Sequence, residues 1–231
     1  MLLRPCGAVC LLVDPLDAFA QRLSVFGTAW RPVPRRALYV ACAFYGLFLL
    51  QAARGSGLLP AFINAAFVPI HEGGHLFFSF FGQFVDVAGG TLMQEGVPFA
   101  LAVYFAYVRE VQGTAFCTFF FFQQFLPIAT YMGDARAQLL PLITVGDSDV
   151  VIHDWNYLFG RLGCLSYDIY IAQFVRIIGW MGMVGTVGWM VWRSLQTRQP
   201  RIDTSIGHEV LGGEGLYLRD SGVGSRGSGP N

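Results

Sequence analysis

Five residues, His71-Glu72-Gly73-Gly74-His75, carry the strongest chemical signal in the chain. On a helix, residues i and i+4 project from one face about one turn apart, so His71 and His75 can offer two imidazole nitrogens to a single Zn²⁺. Glu72 lies roughly 100° around from His71, near enough to hold a water at that ion without itself ligating it. Set in an apolar stretch over 58–81, two histidines and a carboxylate predict a buried zinc site laid out for hydrolysis. The same residues admit a plainer account, a histidine pair hydrogen-bonded across helices with no metal.

A zinc ion needs further donors. In the apolar run over 113–133 and just beyond it, Gln123, Pro127, Thr130 and Asp134 are spaced i, i+4, i+7 and i+11, which places them on one stripe of a helix. Asp134, at the end of that stripe, is the first choice for third ligand; its alternative is a helix-end carboxylate paired with Arg136. A second constellation, His153-Asp154-Trp155-Asn156, offers His153 as the other third ligand, or His153 with Asp154 as groups that orient the attacking water from outside the ligand set. Its structural reading is a short helix capped by Asp154, ended by Gly163 and anchored at a membrane interface by Trp155. Asp86 and Glu95 rank below these. Arg176 sits in another apolar run and calls for a carboxylate partner, for which Asp134, Glu95 and Asp86 compete.

The elements that must position these residues follow from composition. The chain is 54% hydrophobic and 13% charged, with the charges mostly outside a few long apolar runs, which predicts an all-α, polytopic membrane helix bundle. Five spans are expected, over 37–53, 58–81, 91–108, 113–133 and 169–191, each long enough to cross about 30 Å of hydrocarbon. A polar segment over 84–96 reads either as a plain loop or as a re-entrant turn lining the site, so the bundle has about five or six membrane elements. Residues 1–36 read as an N-terminal interfacial segment, with Asp14-Pro15 opening a short helix; 37–193 form the transmembrane domain; 194–231, rich in Gly, Ser and Arg, form a disordered tail.

Charge and cysteine usage exclude other classes. Net charge is zero and the basic residues are all arginine, a compositional bias that implies no nucleic-acid partner; membrane lipids and a transmembrane protein substrate are the expected partners. Cys6, Cys10, Cys42, Cys117 and Cys164 are scattered, giving neither a disulfide framework nor a cysteine metal site. Arg31, Arg35 and Arg36 before the first span, against Arg54 after it, place the amino end in the cytoplasm. Five spans then carry Arg193, Arg198 and Arg201 to the far side, against the same rule, so a span count off by one is the favoured resolution.

A membrane-embedded His-Glu-x-Gly-His, followed by a glycine-containing segment, another span and an aspartate near the end of a later one, resembles the site-2 class of intramembrane zinc metalloproteases over roughly 58–136. The resemblance implies that His71 and His75 bind zinc, that Glu72 is the general base, and that Asp134 supplies the third ligand. That class presents its aspartate in an Asn-Pro…Asp-Gly context, whereas this chain reads Tyr131-Met132-Gly133-Asp134-Ala135-Arg136. The chain is also similar to uncharacterised bacterial membrane proteins with a His-Glu-x-Gly-His segment and a later His-Asp-Trp, which points to a bacterial inner membrane. A lipid-modifying metal enzyme and a non-catalytic membrane protein with a structural metal are the competing classes. Glu72 discriminates, because a structural zinc site has no use for an unligated carboxylate beside its histidines.

Overall fold

The computed structural model describes residues 29–141 and 153–196. Most of the expected interfacial segment and nearly all of the expected tail lie outside the described residues. Those described form helices and no strand. Six α-helices follow in order: α1 Arg35–Ala53, α2 Leu58–Phe78, α3 Gln83–Tyr107, α4 Val111–Gly133, the short α5 Asp154–Leu162, and α6 Asp168–Gln196. Single 3₁₀ turns, Ser79–Phe81 and Leu165–Tyr167, link α2 to α3 and α5 to α6. Gly163, at φ 71°, ends α5 in the left-handed region, as its sequence position predicted.

Three helical stretches, Arg35–Ala53, Val111–Gly133 and Leu165–Gln196, are long and apolar enough to cross a membrane. Helices α2 and α3 match them in length at 21 and 25 residues, but they carry His71, Glu72 and His75, and Asp86, Gln94 and Glu95, which lower their hydropathy. Large apolar side chains such as Phe62, Leu76, Phe80, Phe174 and Met181 are exposed on the outer faces, as suits a lipid environment.

Helix α4 is the centre of the bundle. Half of its most apolar stretch is buried, against 17% in α1 and 22% in α6. Around its first half Val111, Ala115, Phe119 and Phe120 join Leu38, Tyr45 and Phe48 of α1 and Met183 and Met190 of α6. Around its second half Ile128 and Met132 join Phe159 of α5 and Ala172 of α6. Close packing of these side chains, rather than their removal from water, holds helices together in a lipid setting.

The order of contacts along α4 gives the direction of its neighbours. Tyr45 and Phe48 pack on Phe119, with ring centroids 4.6 and 5.4 Å apart. Asn64 accepts a hydrogen bond from Gln123 at 2.9 Å, and Tyr131 accepts one from the amide of Asp154, which in turn reaches His71. Partner numbers in α1 and α2 rise as α4 is climbed, so α1 and α2 run in the same sense and the link over 54–57 bends the chain without reversing it. Helices α3 and α6 run opposite to α4: Gln94 meets Gln124, and Arg136 at the end of α4 forms a two-pronged ion pair with Asp168 at the start of α6, at 2.7 and 2.9 Å. Consequently the residues before α1 and the end of α6 share one end of the bundle. There Trp30 packs edge-on against Trp189, and Arg109 and Arg193 stack over its ring at 5.5 and 5.4 Å.

Three sequence expectations are corrected here. The segment over 84–96 is no re-entrant turn but continuous helix within α3. Its Gly89 packs against Gly74 of α2, where a Cβ on either would collide with the other's backbone. The polar stripe on α4 is also divided: Gln123 is buried, but Thr130 is exposed, because the face carrying Ile128 and Met132 is the one that packs on α5 and α6. Arg176 is exposed too, and it donates to the Thr130 hydroxyl at 3.2 Å instead of burying itself against a carboxylate.

Candidate metal centre

The two histidines converge as the helical spacing requires. His71 Nε2 and His75 Nε2 lie 3.1 Å apart. The third donor is Asp154, whose Oδ2 sits 3.1 Å from His71 Nε2 and 3.4 Å from His75 Nε2. Among the described residues, this is the group of histidine, cysteine and carboxylate side chains that could hold a metal ion. Donors held tetrahedrally at ~2.0–2.1 Å from a zinc ion would be separated by about 3.3 Å, so the three atoms already stand at the spacing of a ligand set.

The other ring nitrogens explain why Nε2 faces inward on both histidines. His75 Nδ1–H donates to the carbonyl of Asp86 at 2.9 Å, in the first turn of α3. His71 Nδ1–H donates to Gln94 Oε1 at 2.9 Å. Each Nδ1 therefore holds the proton and each Nε2 presents a lone pair, the arrangement that orients metal-ligating histidines. Two lone pairs and a carboxylate at this separation repel one another; one proton relieves one approach, whereas a divalent cation relieves all three. Burial opposes ionisation of Asp154; when His71 and His75 are protonated at Nε2 their hydrogen bonds and charge outweigh it and hold the carboxyl below its ordinary pKa, and a cation in the same place would act in the same sense.

The floor of the site is a glycine. A Cβ on Gly90 would stand 2.5 Å from His75 Nε2 and 2.6 Å from His71 Nε2, in the space against which both donors close. This residue, which sequence reading left to a turn, is what lets α3 pass beneath the histidines of α2. If the group holds a metal ion, Gly90→Ala should lower its affinity about tenfold or more by displacing the rings, as for other losses of ligand orientation, while leaving helix content intact. Competition against a chromophoric chelator, with circular dichroism on the same sample, measures both, and an unchanged affinity would remove Gly90 from the site.

Neither residue expected to complete the ligand set does so. Asp134 is turned into the loop after α4, where its two oxygens accept the amides of Leu139 and Leu140, each at 2.9 Å. Burial opposes its ionisation too, and those amides together with His153 overcome it, so its pKa is lowered. His153 faces Asp134 at 3.5 Å through Nε2, stacks on Tyr131 with centroids 4.2 Å apart, and accepts the Asn156 amide through Nδ1 at 3.3 Å. It is His153, not Asp154, that caps α5. With the cap taken, Asp154 is free to turn inward, held by its backbone N–H to the Tyr131 hydroxyl at 3.1 Å. Asp134, His153 and Tyr131 are thus the frame for the third donor.

None of the acidic residues of α2 and α3 joins the donor group. Asp86 flanks the far nitrogen of His75, its carboxylate 3.9 Å from Nδ1. Glu95 has both oxygens buried with no hydrogen-bond partner and takes no part in the donor group. Glu72 also stands outside that group, half-buried and within electrostatic reach of His75 and Tyr131. The histidines and Asp154 are largely but not completely enclosed, with side-chain exposures of 17%, 24% and 9%.

Compared with known protein families, curated proteins and solved structures, the chain has no match.

Proposed function

We propose that this protein is a membrane-embedded, zinc-dependent hydrolase that cleaves peptide bonds of transmembrane substrates. The carrying observation is the make-up of the donor set: two imidazoles and one carboxylate converge, and a further carboxylate, Glu72, follows His71 on the same helix within electrostatic reach of His75. Catalytic zinc sites keep three protein donors and an open position, whereas structural ones are closed by four. A bound zinc supplies Lewis acidity to a scissile carbonyl and to a water, whose pKa it brings to about 7. The chain's own residues do the rest. His71, His75 and Asp154 hold the ion, and Glu72 takes one proton from the water as its oxygen adds to the carbonyl carbon. Glu72 then returns that proton to the nitrogen as the C–N bond breaks. The choice of a peptide bond comes from the resemblance at His71-Glu72-Gly73-Gly74-His75.

The arrangement of arginines supports one face of the bundle as the place where this happens. Arg31 and Arg109 meet through a backbone hydrogen bond beside Trp30, Arg193 stacks on the same ring, and Arg35 and Arg36 open α1 at that end. At the opposite end stand Arg161 and Arg136, the latter engaged by Asp168. Excess arginine marks the cytoplasmic side, so the site opens away from the cytoplasm, and α1 with α2 counts as one traverse, which removes the conflict over the carboxyl end. His71 precedes the end of α2 by about 10 Å of helix, within reach of water from that face. Sealed vesicles of known orientation test both parts together. Hydrolysis of a membrane-helix peptide should be lost to a membrane-impermeant chelator applied on the non-cytoplasmic side and restored by zinc. Loss from the cytoplasmic side alone would reverse the orientation, and hydrolysis indifferent to chelation from both sides would sink the zinc mechanism.

A further inference from the structure

We infer that a chain of buried side-chain amides, Gln94, Gln124, Gln123 and Asn64, selects the ring nitrogen that His71 presents to the ion; this rests on the metal-site reading above. The links are short and consecutive. Gln94 Nε2 donates to Gln124 Oε1 at 2.7 Å, Gln124 Nε2 donates to Gln123 Oε1 at 2.6 Å, and Gln123 Nε2 donates to Asn64 Oδ1 at 2.9 Å. At the near end, Gln94 Oε1 accepts from His71 Nδ1–H. The chain joins α3, α4 and α2 through the middle of the bundle, and Gln94, Gln123 and Gln124 are buried.

The direction of this chain decides the chemistry at its end. An amide has a donor end and an acceptor end, so in an unbranched chain every member must point the same way. Donors here run from Gln94 toward Asn64, which leaves an oxygen facing His71, keeps the proton on Nδ1 and frees Nε2 for the metal. Were the chain reversed, Gln94 would offer its NH₂ to Nδ1, the proton would move to Nε2, and His71 could no longer ligate through that atom. A single amide cannot turn alone, because two donors or two acceptors would then face each other in a buried setting where unpaired polar groups are costly. The chain therefore has two concerted states, and it ends at the half-buried Asn64. Gln94 and the amides behind it are positioning residues for a donor they do not all touch.

Substitutions that carry acceptors alone separate this role from packing. The full-length protein in lipid nanodiscs is assayed for zinc affinity by chelator competition, and for the His71 tautomer by ¹⁵N chemical shifts. Gln94→Leu should weaken zinc binding about 10- to 100-fold, the usual cost of losing a partner behind a ligand. Gln124→Leu should also weaken it and give a mixture of His71 tautomers, because Gln94 is then free to turn. Adding Gln94→Glu to Gln124→Leu should restore affinity and the Nδ1–H form, since a carboxylate can only accept, and Asn64→Asp should behave like the parent for the same reason. Unchanged zinc affinity in both leucine variants would overturn the inference, as would failure of Gln94→Glu to rescue Gln124→Leu. If the parent binds no zinc, the metal reading falls separately, and the ¹⁵N pattern alone decides: Nδ1–H in the parent with a mixture in Gln124→Leu upholds the relay, and identical tautomers in both overturn it.

Discussion

Asp154→Asn is expected to lower zinc affinity by at least about 10²-fold, the upper end of what loss of an outer partner costs, while Asp134→Asn and His153→Asn should fall within the 10- to 100-fold range. The ordering follows from what each side chain touches. Asp154 Oδ2 lies 3.1 and 3.4 Å from the two histidine donors. Asp134 instead spends its oxygens on the amides of Leu139 and Leu140, and His153 caps α5 and stacks on Tyr131. Asparagine keeps the size of aspartate and its capping ability, so helix content should hold in all three variants. The measurement is chelator competition on protein in lipid, with metal counted per chain. If Asp134→Asn loses more zinc than Asp154→Asn, the donor set has been misassigned and the aspartate after α4 is the ligand after all.

The part of this site that could be read in the sequence is the part fixed by local periodicity. His71 and His75 are four residues apart on one helix, so their convergence needs no knowledge of the fold, and the helices around them follow from long apolar runs. The third donor was not legible, because it depends on how α5 docks across the end of α4. Asp134 and Asp154 both precede or follow a helix terminus, and sequence spacing cannot say which carboxylate turns inward. That choice is made by a competition for the cap: His153 takes it, so Asp154 is released to the site, whereas Asp134 finds two loop amides and stays outside. Gly89 and Gly90 misled for a related reason. Two glycines beside Asp86 look like a turn, but between two helices they are the places where backbones or imidazoles come too close for a Cβ. Gln124 carries a signal of its own as the neighbour of Gln123 in an apolar helix, and a search for polar residues that cannot be left unpaired finds it together with Gln94 of the polar segment over 84–96.

Glu72→Gln should leave zinc content and fold unchanged and reduce peptide hydrolysis by about 10²-fold or more, the contribution typical of a positioned general base. Glu72 stands outside the donor group while remaining within electrostatic reach of His75 and Tyr131. Glutamine keeps the shape and a hydrogen-bonding oxygen but cannot accept the proton of the attacking water or return it to the leaving nitrogen. The loss should therefore appear in kcat with little change in KM, because nothing in substrate binding has been removed. Zinc measured on the same samples separates the possible failures. Loss of metal in Glu72→Gln would make Glu72 a fourth ligand, closing the position that hydrolysis needs and favouring a structural ion. Hydrolysis at the parental rate with metal retained would show that another group takes the proton, and the base would then have to be sought among the residues that frame Asp154, with Tyr131 nearest to it through the Asp154 amide.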